Sequence, residues 1–265
     1  MKNLHCLRLP LLLGILASLI AACRIEDDKD VVVTIPPEYR VDVFQDRAPT
    51  DGTPTFGLWV ESMAKFECPD FGIDASVALL GGRIEVTILG VQRPSPCVGD
   101  SATAKQFIPL GHLDDGTYPF SLSLRDVIVN NGTLRIENGR HVLSLPNAQG
   151  VEVQNYVLEH LPDGIIWGYA ATPDEPSMPI ADNFLTDLKT LTAENDLAPG
   201  FYSYFTISGT GVITLHGRIA PAETASVFVR RLLSSPDSLK GLLQNYRNAQ
   251  QQPLTVKCWT TGGEL

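Results

Sequence analysis

The sequence predicts a mainly β domain followed by an α+β domain, carried behind an N-terminal leader and an acidic tether. Three observations lead there. Residues 51–146 alternate apolar and polar positions between Gly-Gly and Asn-Gly turns. Residues 159–265 read strand, helix, two strands, helix, strand. Residues 1–22 are basic at the start and then apolar. The 265 residues are enough for two modest cores. A formal charge of −10, from 30 acidic and 20 basic residues, speaks against a nucleic-acid partner, which needs a basic surface.

The leader comes first. Lys2 and Arg8 precede an apolar run over residues 9–20, and Ala21-Ala22-Cys23 closes it. That order reads as a secretory signal peptide, and the run is shorter than the about 20 residues a membrane span needs. Ile20-Ala21-Ala22-Cys23 resembles the lipobox of bacterial lipoproteins. The resemblance implies that residues 1–22 are removed and that the Cys23 thiol takes up lipid at the new N-terminus. Several acyl chains, at about 0.8 kcal/mol per buried methylene, make a durable membrane anchor. Losing Lys2 and Arg8 leaves 18 basic against 30 acidic residues, a charge of −12. Arg24-Ile25-Glu26-Asp27-Asp28 resembles the export signal of Bacteroidetes-type surface lipoproteins, and also reads as a plain solvated run. The resemblance implies the outer membrane and, further, its outer face. Residues 23–50, interrupted by Pro36-Pro37 and Pro49, read as the tether, with room for one docking strand.

In residues 51–146, Gly81-Gly82 separates an apolar run over 73–80 from alternating Ile84, Val86 and Ile88. Asn131-Gly132 lies between Val127-Ile128-Val129 and residues 133–137. Asn138-Gly139 joins Leu134 and Ile136 to Val142, Leu143 and Leu145. Asn-Gly supplies the positive φ angles of a two-residue hairpin turn, so both sites predict one. Leu113-Asp114-Asp115-Gly116-Thr117-Tyr118, followed by Phe120, Leu122 and Leu124, resembles the tyrosine corner of immunoglobulin-like sandwiches. That resemblance implies an immunoglobulin-like β-sandwich and no particular activity. Residues 147–158 read as a linker.

In residues 159–265, a strand is expected over 165–171 and a helix over 179–194. Ser177 caps the helix, Pro179 occupies its first turn, and Ile180, Phe184, Leu188 and Leu191 share one face. Residues 201–207 and 212–216 read as a hairpin across Ser208-Gly209-Thr210-Gly211. Residues 223–233 stay open between strand and helix. Pro236 opens a helix with Leu239, Leu242, Leu243 and Tyr246 at helical spacing, and residues 254–260 close with a strand. The βαββαβ order is that of the ferredoxin-like split motif.

Exported proteins meet oxidising conditions, so a Cys68–Cys97 disulfide is predicted. Cys258 alternates with Val256 and reads as a buried small hydrophobe. His112, His141, His160 and His216 are isolated in sequence. With no HExxH, CxxC or G-x-S-x-G, no metal, cofactor or catalytic set is predicted. Asp114-Asp115 and Asp174-Glu175 read as turn chemistry rather than calcium loops. Alternation puts Trp167 and Tyr169 on one sheet face, with Tyr202, Tyr204 and Trp259 beside them. Ile166, Phe201, Phe205, Ile213, Leu215 and Val256 would lie under the helices on the other. An open aromatic face stacks on sugar rings, peptides or a second sheet. The competing reading packs it on the first domain or on a twin subunit as a homodimer. The functional expectation is a lipid-anchored envelope protein, a non-catalytic binding or scaffolding module for glycan or protein. The alternative is a protease inhibitor or folding aid, with Arg93-Pro94-Ser95-Pro96 as its candidate loop. An enzyme has the least support.

Overall fold

Four sheets, two facing each other and two following them in the chain, organise the described residues. The computed structural model describes residues 34–46, 54–216, 225–248 and 254–265, so the leader, Cys23, the acidic cluster after it and Val31-Val32-Val33 lie outside the described residues. Contacts divide the chain between Ile35 and Pro36, and Pro36–Leu265 forms one unit. It is mostly β, with several sheets and two α-helices. Among the described residues no helix is long and apolar enough to cross a membrane.

The first part is a two-sheet sandwich. Strands β1 (Tyr39–Asp46), β2 (Thr55–Phe66), β5 (Ala102–Gly111) and β9 (Val151–Val153) form one sheet in the order β5-β2-β1-β9. Strands β3 (Gly72–Leu80), β4 (Arg83–Gln92), β6 (Gly116–Leu124), β7 (Ile128–Glu137), β8 (Arg140–Ser144) and β10 (Val157–Leu158) form the other, in the order β10-β8-β7-β6-β4-β3. Pairing is antiparallel except for β1 with β9 and β4 with β6. Val41, Val43, Leu58 and Val60 of one sheet meet Ile84, Val86, Ile88, Leu122, Leu124 and Leu134 of the other in a dry core.

Several expectations change here. Residues 39–46, read as tether, are an internal strand, because Tyr39, Val41 and Val43 turn inward while Arg40 and Asp42 alternate outward. The neighbouring prolines and charges hid that period. The expected linker supplies β9 and β10, which extend both sheets. Asn131-Gly132 is not a turn: β7 runs straight through it, and Gly132 is small because a Cβ there would overlap the Ser144 carbonyl. The turn before β7 is made by Arg125 and Asp126, both at positive φ (52° and 56°). Asn138-Gly139 does form the expected hairpin, closing on the Glu137–Arg140 pair.

The second part is a five-stranded sheet with helices on one face. It comprises β11 (Ile165–Ala171), helix α1 (Met178–Leu191), β12 (Thr192–Glu194), β16 (Ala225–Leu232), helix α2 (Pro236–Asn248), β17 (Thr255–Thr260) and β18 (Gly263–Glu264). The order is β12-β16-β11-β17-β18, antiparallel throughout. Residues 225–232 are therefore strand. Ile166, Ala170, Phe228, Val256 and Cys258 pack under Phe184, Leu188, Leu239 and Leu243 of the helices. Between β12 and β16 the chain inserts a small sheet of β13 (Gly200–Phe201), β14 (Phe205–Ile207) and β15 (Ile213–Leu215). The expected strand over 201–207 is thus broken at Ser203, whose φ is 67°, and its hairpin lies outside the five-stranded sheet. Phe205, Ile213 and Leu215, expected under the helices, pack on the opposite face, and Phe201 joins the sandwich core. A 3-10 turn (Glu175–Ser177) leads into α1 and is capped by Asp174, whose carboxylate accepts the Ser177 N–H (3.0 Å), while the Ser177 side chain makes no cap bond to α1.

Candidate functional site

The five predicted aromatics fall on the insertion side of the five-stranded sheet, and β13–β15 covers that face. Trp167 is 1% exposed, stacked on Tyr204 (centroids 5.5 Å apart) and near Phe205 (5.9 Å). Tyr202 is buried and stacks on Phe205 at 5.1 Å; its hydroxyl donates to the Ala198 carbonyl (2.7 Å). Burial, with the nearby Glu159 charge, raises its pKa. Tyr204 reaches the sandwich: its hydroxyl donates to Asp46 Oδ1 (2.8 Å), and its ring meets Phe44 edge-on at 5.2 Å. Tyr169 and Trp259 lie half-buried at the rim, 6.2 Å apart. The face is a packed core joined to the sandwich through Tyr204 and Phe44, with Tyr169 and Trp259 as its accessible remainder.

Cys68 and Cys97 form the predicted disulfide, with Cα atoms 5.6 Å apart. Cys258 is a free, fully buried thiol, and burial pushes its pKa up to about 12, so it stays protonated. Asp115 accepts the Asn138 N–H (3.0 Å) across the neighbouring hairpin, a structural use of the acidic pair. No group of three or more His, Cys, Asp or Glu among the described residues is disposed to hold a metal ion.

A different site assembles at one end of the sandwich. The end of β1 (Gln45), the start of β2 (Pro54, Phe56), the β5–β6 loop (residues 111–115), the β7–β8 turn and His160 enclose a cleft of about 430 Å³. At its floor His141 lies flat on Phe56, ring centroids 4.0 Å apart and planes 14° apart, so one imidazole ties the two sheets together. His141 is 7% exposed, and its Nδ1 is buried with no hydrogen-bond partner. Burial holds the ring neutral, lowering its pKa to about 4 against the pull of the Gly139 backbone and the Asp115 charge; His160 pushes the same way as burial. Asp114 and Asp115 border the cleft at the corner where the Tyr118 hydroxyl donates to the Asp114 carbonyl (2.9 Å). His160 stacks over the turn so closely that a Cβ at Gly139 would overlap its Nδ1. The cleft therefore offers an aromatic floor, with one imidazole nitrogen buried beneath it, and two carboxylates at the mouth.

Reading histidines one at a time missed this site, because β8 and β2 belong to different sheets. The Tyr202 hydrogen bond had a signal: Leu197-Ala198-Pro199-Gly200-Phe201-Tyr202 repeats the Leu-x-x-Gly-x-Tyr spacing of residues 113–118, and both hydroxyls return to the carbonyl four residues upstream.

What these features define as a class is a disulfide-bearing, mostly β protein with a helix-backed sheet and a cleft at one sandwich end. Comparison with protein-family models, with curated proteins and with solved structures finds no match to the chain.

Proposed function

We propose that the chain is a lipid-anchored envelope protein whose folded body is a non-catalytic binding module, taking a hydroxyl-rich ligand such as a glycan in the His141 cleft. The anchor rests on the leader and on Cys23, and the outer-membrane address on Arg24-Ile25-Glu26-Asp27-Asp28 behind it. The finer fold names belong to the same reading. The Tyr118 hydrogen bond supports an immunoglobulin-like sandwich, with the two parallel pairings as departures from an all-antiparallel scheme. The order β12-β16-β11-β17, with a helix following β11 and another following β16, supports a ferredoxin-like unit that carries β13–β15 as an insertion.

The observation that carries the binding proposal is the cleft itself, floored by the His141–Phe56 stack and edged by Asp114 and Asp115. A ligand ring would stack on that lining while its hydroxyls donate to the Asp114 carboxylate at the mouth. The test is a glycan array probed with the full-length chain, wild type against Asp114→Ala. Wild type is expected to bind, and the variant, which keeps the Tyr118 bond to the backbone of residue 114, to lose about ten-fold or more in affinity. An array without hits, or equal binding by the variant, sinks the proposal. The anchor is tested separately by metabolic labelling with palmitate, expected in wild type and absent from Cys23→Ala.

A second reading, protease inhibition, has one observation in its favour. Residues 93–101, between β4 and β5, form an exposed loop pinned by Cys97 to Cys68 and by the Arg93–Glu67 ion pair (2.8 Å), with Val98 75% exposed beside the disulfide. A braced loop binds with less ordering cost. Inhibition of a serine protease that disappears in Val98→Asp would favour it.

A further inference from the structure

Sheets end in edge strands, and an unpaired edge invites another chain unless it is short, charged or interrupted by proline. Among the described edges, β9, β10, β12, β13, β15 and β18 are three residues or shorter. The ten-residue edge β5 carries Lys105 and Pro109. The nine-residue edge β3 has none of these protections over its outer half, Ala75-Ser76-Val77-Ala78-Leu79-Leu80.

Its register says which groups face outward. The Gly81-Gly82 turn closes on the Leu80–Arg83 pair, which is hydrogen-bonded in a two-residue hairpin, and the pattern alternates from there. Residues 80, 78 and 76 therefore bond to β4, while the N–H and C=O groups of Ala75, Val77 and Leu79 point away from the sheet. The side chains tell the same story. Val77 and Leu79 lie opposite Val86 and Ile84 on the core face, yet are 37% and 55% exposed where those two are 1%. Among the described residues little covers the core face of β3 at Val77 and Leu79, which overhangs the sandwich.

We propose that β3 is a homodimerisation strand, pairing antiparallel with β3 of a second copy across a two-fold axis at Val77. In this register Val77 meets Val77 and Leu79 meets Ala75, making about six backbone hydrogen bonds. Charge favours a second copy here. A chain with a net charge of −10 repels itself over most of its surface, but residues 75–80 carry no ionisable group. The same register lines up Asp74 of one copy with Leu80 and then Arg83 of the other on the outer face, so two opposite-charge pairs form across the interface. An isologous contact of this kind closes on itself rather than growing a fibre.

The test is light scattering of the full-length chain in detergent across a concentration series. A protein mass that doubles from monomer to dimer as the concentration rises is expected. Val77→Lys, which opposes two like charges on the axis, is expected to weaken association about ten-fold or more. Leu79→Pro should do the same while leaving the β3–β4 ladder intact, because its lost N–H points outward. Asp74→Arg should weaken the dimer, and Asp74→Arg with Arg83→Asp should restore it. Should the charge variants fail to fold, Val77→Cys gives an independent reading. Cα atoms about 5.5 Å apart allow a disulfide between copies, whereas Val127→Cys, more exposed but away from the axis, should stay uncrosslinked. A monomer at every concentration, or a dimer indifferent to Val77→Lys and Leu79→Pro, overturns the proposal.

Discussion

The two sheets of the sandwich share one core between them, whereas the five-stranded sheet carries a separate core on each face. In the sandwich the long strands turn one side to the shared core, which the outer half of β3 overhangs. In the second half β11 is dry on both, with Ile166 and Ala170 under the helices and Ile165 and Trp167 under the inserted sheet. An uncovered face on a helix-backed sheet is an unstable arrangement for side chains this large, and the chain resolves it by folding its own residues 200–215 over them. The aromatic residues serve as mortar between the halves: Trp167 stacks on Tyr204, and Tyr204 meets Phe44 edge-on, so the contact crosses from one to the other.

The largest expected effect tests that difference at its centre. Trp167→Ala should destabilise the protein by about 3–5 kcal/mol in chemical denaturation, as a fully buried aromatic does, because it undermines the insertion's core. A loss below about 1 kcal/mol would mean that the face is a surface and that the contrast between the halves is false.

A smaller effect belongs to the sandwich alone. His141 has a folded pKa of about 4, below the ordinary 6.5, so between those values the unfolded chain binds more protons than the folded one. Its contribution is complete above pH 6.5 and is lost as pH falls toward 4, by up to about 3 kcal/mol. His141→Phe should flatten stability over that window when the two proteins are titrated side by side; parallel curves would contradict the buried stack on Phe56.

The smallest pair of changes compares the two tyrosines directly. Tyr202→Phe removes the hydrogen bond of a buried tyrosine and should lower stability by about 1–1.5 kcal/mol. Tyr118→Phe, whose hydrogen bond lies in an exposed corner, should lower it by about 0.5 kcal/mol. Equal losses would erase the distinction between a buried and an exposed corner.

The same difference explains what the sequence disclosed. Phe120, Leu122 and Leu124 alternate cleanly because their strand has one buried face, and Asn138-Gly139 announces its turn through positive φ. The Cys68–Cys97 disulfide agrees with the pairing expected of an exported chain. Asn131-Gly132 misled because its glycine answers to the Ser144 carbonyl on a neighbouring strand, a long-range demand that local turn chemistry cannot register. On β11, alternation separated the two faces correctly but could not say what covers either one. The strand that pairs with β12 arrives only at Ala225, after a 30-residue detour, so the nearer hairpin was taken for it. The His141–Phe56 contact joins positions 85 apart in sequence with no motif linking them.

Cys258 gives this architecture a clock. Its sulfur lies beneath both helices and is held protonated, while the other two cysteines of the described body are locked together. A thiol reagent can reach it only when the helical layer lifts from the sheet. In mild conditions its labelling rate therefore counts openings of the second half alone, with the sandwich silent. Following that rate as Trp167 or His141 is changed would tell whether the two halves come apart together or one at a time.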